Sequence, residues 1–257
     1  MLRTMRTILA SLGVLAWIKP LAYMASDHWN RRRQEAVLAG IVRRDDLVFD
    51  IGAFFGSRSF VFTRLGGRVV AVEPNPTCVA WLQRRFGNRG SVRIVPGIAS
   101  NTAGETTLWI DDQVPEIASV NRQWLNREWL SSGPALSMAR SPRPMSVRST
   151  TLDALIEEFG QPRYIKIDAE GHEPHVLEGL HHRCDYISIE LHRDDPDKLP
   201  ICLTEIGRLG DFRVNLVYEN ATRFAFDHWL SLEEWHQWTW GDEAPGTADL
   251  FCRLSTD

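Results

Sequence analysis

From residue 41 onward the chain alternates short, solidly apolar runs with amphipathic stretches, which predicts strands alternating with helices. The run LVFDI (47–51) is continuously apolar up to Asp50, as expected of a parallel strand covered on both faces. Its helix is predicted to start near Gly56 and end around Leu65, with Gly66 and Gly67 turning the chain into a second strand, RVVAVE. Asn75 and Pro76 supply a cap and a first helical residue, and TCVAWLQRRF then runs to a stop at Gly87. SVRIV is the third strand, ended by Pro96 and Gly97, and TTLWI is a further short strand after a turn at Gly104. Thr150 or Thr151 opens the helix LDALIEEF, which Gly160 stops. YIKID is the fourth main strand, Pro174 begins the helix HVLEGLHH, and YISIELH, RVNLVYE and DLFCRL are the fifth, sixth and seventh strands.

This alternation argues for an α/β fold with a doubly wound, mostly parallel sheet over residues 41–257, preceded by an N-terminal helical extension over residues 1–40. The first thirty residues admit three readings. Arg3 and Arg6 precede ILASLGVLAWI, which Lys19 and Pro20 interrupt before Arg31, Arg32 and Arg33. A spanning helix needs about 20 uninterrupted apolar residues, which this segment lacks. A signal peptide needs a small-x-small cleavage site, and none is visible before Asp27. The favoured reading is a helix packed on the domain or resting on a membrane surface through residues 1–33, in an otherwise cytoplasmic protein.

Composition narrows the classes further. With 257 residues, 44% of them hydrophobic, the chain can bury one substantial core and is neither disordered nor fibrous. A net charge of -4 offers no basic footprint for nucleic acid. Cys78, Cys184, Cys202 and Cys252 are scattered without a CxxC pair, which fits buried free thiols in a reducing compartment.

In a doubly wound sheet, ligands bind beyond the carboxyl ends of the strands, where the strand order reverses. That rule selects Asp50 and Gly52 after the first strand, Glu73 after the second, and Ile98, Ala99 and Ser100 after the third. It also selects Asp168 to Glu173 after the fourth, and Glu190 and His192 at the end of the fifth. A dinucleotide loop would read G-x-G-x-x-G, so that bare amides meet a pyrophosphate. Here only Gly52 and Gly56 are present, Phe54 fills the middle, and Asp50 sets a negative charge where phosphates would lie. A ligand carrying an ammonium and a sulfonium but no phosphate gains from that acid, and S-adenosylmethionine is such a ligand. Glu73 is placed to accept hydrogen bonds from both ribose hydroxyls. The competing reading is a nicotinamide or flavin domain with an irregular loop.

The segments VFDIGAFFG, AVEPNP, TLDALI and YIKIDAEGHEPHVLEGL, followed by ISIELH, resemble the FkbM family of S-adenosylmethionine-dependent methyltransferases over roughly Val42 to Leu254. The resemblance implies a Rossmann-like, seven-stranded class I methyltransferase sheet whose last strand is antiparallel, and methyl transfer usually to a hydroxyl oxygen. One position departs from the family: Phe54 stands where Asn is common, which removes a polar contact from the cofactor loop.

Such a transfer requires an acceptor oxygen held in line behind the methyl group and a group to take its proton. Asp168, Glu170 and His172 are the candidate catalytic residues, with His172 the first choice of base and Glu170 the second. Asp50, Gly52, Gly56, Glu73, Ile98, Ala99 and Asp168 are the candidate cofactor residues. Glu173, beside Pro174, reads as a helix start whose acid complements the dipole. Glu190 and His192 share one face of a strand and would touch substrate or a divalent ion such as magnesium. HEPH is not the H-E-x-x-H of a zinc hydrolase, and His181 and His182 read as a solvated helix end.

Residues 111–149 are too long for an ordinary connection and read as a lid or substrate loop carrying Trp124 and Trp129. In SLEEWHQWTW, Ser231 and Glu234 form a capping box, and Trp235, Trp238 and Trp240 are expected to pack against the core. The expected function is methyl transfer to a hydroxyl oxygen of a small molecule, a glycan or a lipid-linked glycan. The alternatives are a nicotinamide oxidoreductase and a catalytically silent S-adenosylmethionine-binding module.

Overall fold

The chain enters its domain through helix α1 (His28–Leu38), which leads to strand β1 (Leu47–Ile51), every residue of which is buried. In this computed structural model the described residues are 28–111, 118–122, 142–219, 221–236, 240–241 and 244–255. Helix α2 (Ser57–Arg64), strand β2 (Arg68–Glu73), helix α3 (Pro76–Phe86) and strand β3 (Val92–Pro96) follow in the predicted alternation. Asn75 caps α3 by accepting a hydrogen bond from the Thr77 amide at 3.0 Å.

After β3 the chain leaves the main sheet and builds a second one from β4 (Ile98–Ala99), β5 (Gly104–Ile110), β6 (Ala118–Ser119) and β7 (Arg143–Thr150). It returns through α4 (Leu152–Phe159), capped by the Thr151 hydroxyl, to β8 (Tyr164–Ile167), α5 (Glu173–Glu178) and β9 (Tyr186–His192). Helix α6 (Lys198–Leu209), β10 (Phe212–Tyr218), β11 (Leu230–Ser231), α7 (Leu232–His236) and β12 (Thr247–Leu254) complete the described elements.

The main sheet runs β11-β10-β12-β9-β8-β1-β2-β3, with β12 antiparallel between β9 and β10. Numbered in chain order, its seven long strands are arranged 3-2-1-4-5-7-6 with only the last reversed. That is the doubly wound sheet expected for a class I methyltransferase. The difference is an eighth, two-residue edge strand, β11. Apolar side chains fill both faces: Phe49, Ile165, Ile187 and Leu250 on one, Val48, Phe62, Tyr164 and Phe251 on the other. All four cysteines are free and buried.

The described end of the N-terminal extension, the helix His28–Leu38, is packed on the domain, with Val37 and Leu38 buried in the same cluster as Ile41, Val61 and Phe62. Several expectations need correction. Within 111–149, residues 118–119 and 143–149 are sheet rather than lid, while residues 112–117 and 123–141, with Trp124 and Trp129, lie outside the described residues. Helix α5 is shorter than HVLEGLHH. A side chain at Gly179 would stand 2.2 Å from the Ser100 carbonyl oxygen, so the helix ends where the two backbones meet. Helix α6 has no counterpart in the pattern analysis. It tolerates Pro200 because the first turn has no intrahelical acceptors for its N–H groups.

The capping box is present, with Ser231 and Glu234 exchanging hydrogen bonds. Trp235 is buried and Trp240 packs on the core edge against Tyr218, whereas Trp238 lies outside the described residues. Among the described residues no helix is long and apolar enough to cross a membrane, and residues 1–27 lie outside them.

Candidate active site

Strand order reverses between β1 and β8, and their carboxyl ends open a crevice there. A cavity of about 410 Å³ occupies it, within the usual range for a small-molecule site. Of the residues predicted for the site, Gly52, Glu73, Ile98, Ala99, Asp168, Glu170, His172 and Glu190 line it together.

The turn after β1 is held by backbone. Gly52 adopts a left-handed φ of 77°, and a Cβ there would lie 1.8 Å from the Asp168 carbonyl oxygen, so no other residue fits without moving β8. The amides of Gly52 and Ala53 both donate to the Val72 carbonyl at 3.0 Å. The Phe54 amide donates to Glu73 Oε2 at 2.7 Å, and the Asn75 amide to Glu73 Oε1 at 2.8 Å. Phe54 itself is left-handed, with φ 49°, and this hydrogen bond to Glu73 helps to hold it there. Burial pushes the Glu73 carboxyl up to about 7, although the two amide bonds pull it down.

Two predicted cofactor residues do not line the cavity. Asp50 sits inside β1 with no exposed surface, accepts a hydrogen bond from Ser59 Oγ at 2.5 Å, and faces Lys166. Burial raises its carboxyl, and its charge is engaged below the turn rather than at the mouth. Gly56 serves packing: a Cβ there would meet the Phe86 and Leu82 side chains at 2.6 and 2.7 Å, so glycine lets α2 lie against α3.

The opposite rim carries the ionisable groups. Lys166 Nζ donates to Asp168 Oδ2 at 2.9 Å, and Asp168 is held below the ordinary carboxylate range: burial raises it, and Lys166, Arg58 and Lys198 more than offset that. Glu170, in a left-handed turn with φ 51°, is held well above that range by burial and by Asp168, Glu190 and Glu173. His172 Nε2 lies 3.0 Å from Ser100 Oγ, and its ring stacks on His175 at 4.7 Å. Burial, then His175, pushes His172 down to about 4. Glu190 Oε2 lies 3.1 Å from His192 Nε2; burial raises the carboxyl, and the contact with Glu190 outweighs burial to raise the imidazole.

Glu173 is buried. It accepts from the Ala169 amide at 3.0 Å and sits 3.2 Å from Lys198 Nζ, so it holds its own turn and does not line the cavity. Among the described residues no three His, Cys, Asp or Glu side chains converge as a metal site, and His172 and His192 have separate partners. The cavity also takes in Lys166, the Arg58–Asp249 ion pair and, from α1, Asn30 and Arg33, none of which the sequence reading selected. A lysine inside the otherwise apolar strand YIKI was the available signal for Lys166. The Arg58–Asp249 pairing, across 191 residues, had none.

Residues 50–236 match the profile described as the methyltransferase FkbM domain. The chain belongs to this methyltransferase family. No curated protein matches it. Among solved structures it is similar to precorrin-6y C5,15-methyltransferase from Geobacter metallireducens, at 14% identity, 87% and 86% coverage of the two chains, and a TM-score of 0.45. It is also similar to Aeropyrum pernix fibrillarin in complex with S-adenosyl-L-methionine, at 12% identity, 87% and 76% coverage, and a TM-score of 0.44. Likenesses of this size bear on no residue and no substrate.

S-adenosylmethionine is the donor that FkbM membership brings, and the cavity suits it. Gly52 offers bare backbone, Glu73 presents a buried carboxylate with lone pairs left for ribose hydroxyls, and Ile98 and Ala99 offer an apolar wall. A pyrophosphate is not suited, because the amides of Gly52, Ala53, Phe54 and Gly56 already have acceptors within the protein.

Proposed function

We propose that this FkbM methyltransferase moves the methyl group of S-adenosylmethionine to a hydroxyl oxygen of a small molecule, a glycan or a lipid-linked glycan. The observation that carries the reading is the pairing, in one cavity, of a phosphate-free donor turn with a rim of proton acceptors, Asp168, Glu170 and His172. When bound, the donor supplies an already activated methyl group on its sulfonium. Gly52 and Glu73 would hold the donor's amino-acid and ribose portions, and Asp168, kept ionised by Lys166, would hold its ammonium. Glu170 takes the acceptor's proton. Burial and the neighbouring Asp168, Glu190 and Glu173 make its carboxylate, once ionised, a stronger base than an ordinary one, whereas burial and His175 weaken the His172 imidazole, which is pushed down to about 4. His172, neutral at pH 7 and bonded to Ser100, orients the acceptor hydroxyl. The order of the two candidate bases is thus the reverse of the sequence expectation.

Parallel calorimetric titrations with S-adenosylmethionine, S-adenosylhomocysteine and NAD test the donor. The first two are expected to bind and the third is not; NAD binding would return the molecule to the oxidoreductases. Label transfer from methyl-labelled donor to a panel of alcohols, sugars, amines and thiols then tests the acceptor atom. Methylation confined to amines or thiols would defeat the hydroxyl assignment.

A further inference from the structure

Lys166 is the only charged residue of β8, it is 4% exposed, and its side chain lines the cavity. Its Nζ donates to Asp168 Oδ2 at 2.9 Å and to the Gly52 carbonyl at 3.3 Å, and lies 3.7 Å from Asp50 Oδ1. That Asp50 oxygen is buried without a hydrogen-bond partner among the described residues. A buried ammonium is retained only where it is paired, and here the partners come from β1, the turn after it and the end of β8. The Gly52 carbonyl belongs to the turn that faces the donor, and Asp168 lines the same space.

We propose that Lys166 is a positioning residue for the methyl donor: its ammonium ties the Gly52 turn to the end of β8 and keeps the Asp168 carboxylate aimed into the cavity. This rests on the S-adenosylmethionine reading above. The charged groups facing Asp168 are Lys166 on its own strand, Arg58 from α2, Lys198 from α6, Asp50 from β1, Glu170 from the following turn, and Glu190 and His192 from β9. Arg58 is committed to Asp249, Lys198 to Glu173, and His192 to Glu190. Without Lys166, therefore, Asp168 would face three carboxyls with no cation of its own.

A purely structural role, neutralising Asp50, makes a different prediction, and a charge-balanced variant separates the two. Thermal melting and the affinity for S-adenosylhomocysteine across pH are to be measured for the wild type, Lys166→Met, Lys166→Met with Asp50→Asn, and Lys166→Arg. Lys166→Met is expected to lose both stability and affinity. Adding Asp50→Asn removes the unpaired buried carboxylate and is expected to restore melting, while affinity stays on the order of tenfold weaker than wild type.

The pH dependence follows from which form of Asp168 binds. The carboxylate is the binding form, so beneath the step that Glu73 contributes at about 7 affinity falls again as pH drops through the Asp168 pKa, this lower step being the acid limb. Loss of the lysine raises that pKa, and the acid limb of binding moves to higher pH. Lys166→Arg keeps a cation and is expected to keep the wild-type limb. Wild-type affinity and pH dependence in the double variant, or a shifted limb in Lys166→Arg, would overturn the proposal. A wild type that binds no S-adenosylhomocysteine would instead defeat the donor reading, and this inference with it.

Discussion

The donor half of the cavity and its acceptor half are built in different ways. Around the donor, most contacts span no more than 20 residues and use the backbone, the Gly52 and Ala53 amides on Val72 and the Phe54 and Asn75 amides on Glu73, with Lys166 on the Gly52 carbonyl the long-range exception. Around the acceptor they are side-chain contacts between distant parts of the chain. Ser100 meets His172 across 72 residues, Ser119 reaches the Glu170 carbonyl across 51, and Arg58 pairs with Asp249 across 191. Backbone geometry therefore sets where the methyl group is presented, whereas side chains set what receives it. The donor half should then be intolerant of added atoms and the acceptor half tolerant of changed ones.

The largest effect is expected at Gly52. Gly52→Ala puts a methyl group 1.8 Å from a backbone oxygen in a left-handed turn, which must displace either the turn or the end of β8. We expect a stability loss of at least ~2 kcal/mol and no measurable donor binding. Gly56→Ala sharpens the contrast. Its clash is with the Phe86 and Leu82 side chains, so stability should fall while the folded protein still binds the donor. Denaturant melts and calorimetry on the two variants decide this, and equal binding by both would erase the distinction between a ligand-facing and a packing glycine.

Next in size is the proton acceptor. Glu170→Gln should lower turnover by roughly 10² to 10⁴ with the donor Kd unchanged, and His172→Ala should lower it less. A larger loss in His172→Ala would restore the histidine as base.

Glu73 follows. Glu73→Ala should weaken donor binding by about 1–3 kcal/mol through lost charge-assisted hydrogen bonds. Its pH dependence has a definite sign. With the folded carboxyl pushed up to about 7 by burial, the ligand-free folded state binds more protons than the unfolded chain between about 4.5 and 7. Wild-type stability should decline across that window, and Glu73→Gln should flatten the decline. Donor affinity runs the other way, rising with pH through about 7, because the ionised carboxylate is the better acceptor for hydroxyls. A stability curve of Glu73→Gln parallel to wild type would show that Glu73 does not titrate there.

The same division explains what could be read from the chain. Strand β1, Gly52, Glu73 and the Asn75 cap were legible because each is specified within a few neighbouring residues by apolar runs and turn chemistry. Asp168 and Glu170 were legible as the polar end of a buried strand. Asp50 was misplaced: counting along the strand finds an acid near its end but does not say that Ser59 and Lys166 claim it from below. Gly56 was misplaced because a glycine needed for packing on Phe86 looks, in sequence, like one needed for a ligand. The second sheet was missed because β7 pairs with β5 across a segment whose Ser, Pro and Arg content reads as loop. Strand pairing over such distances leaves little local trace.

The smallest expected effect tests the other side of the comparison. Glu219, exposed just past the end of β10, lines the cavity with β12 and β9 between its strand and β8, and accepts a hydrogen bond from Thr247 Oγ1 at 3.0 Å. A single exposed contact of this kind contributes little, so Glu219→Ala should change stability by no more than about 0.5 kcal/mol. Donor affinity should stay within about twofold of wild type, since no donor-side hydrogen bond involves Glu219. What should change is the KM for the hydroxyl acceptor, because removing a carboxylate from that wall alters the groups an acceptor meets. A donor affinity that falls as it does in Glu73→Ala would mean that the donor reaches across β9 and β12, and the boundary between the two halves would have to move to the far edge of the sheet.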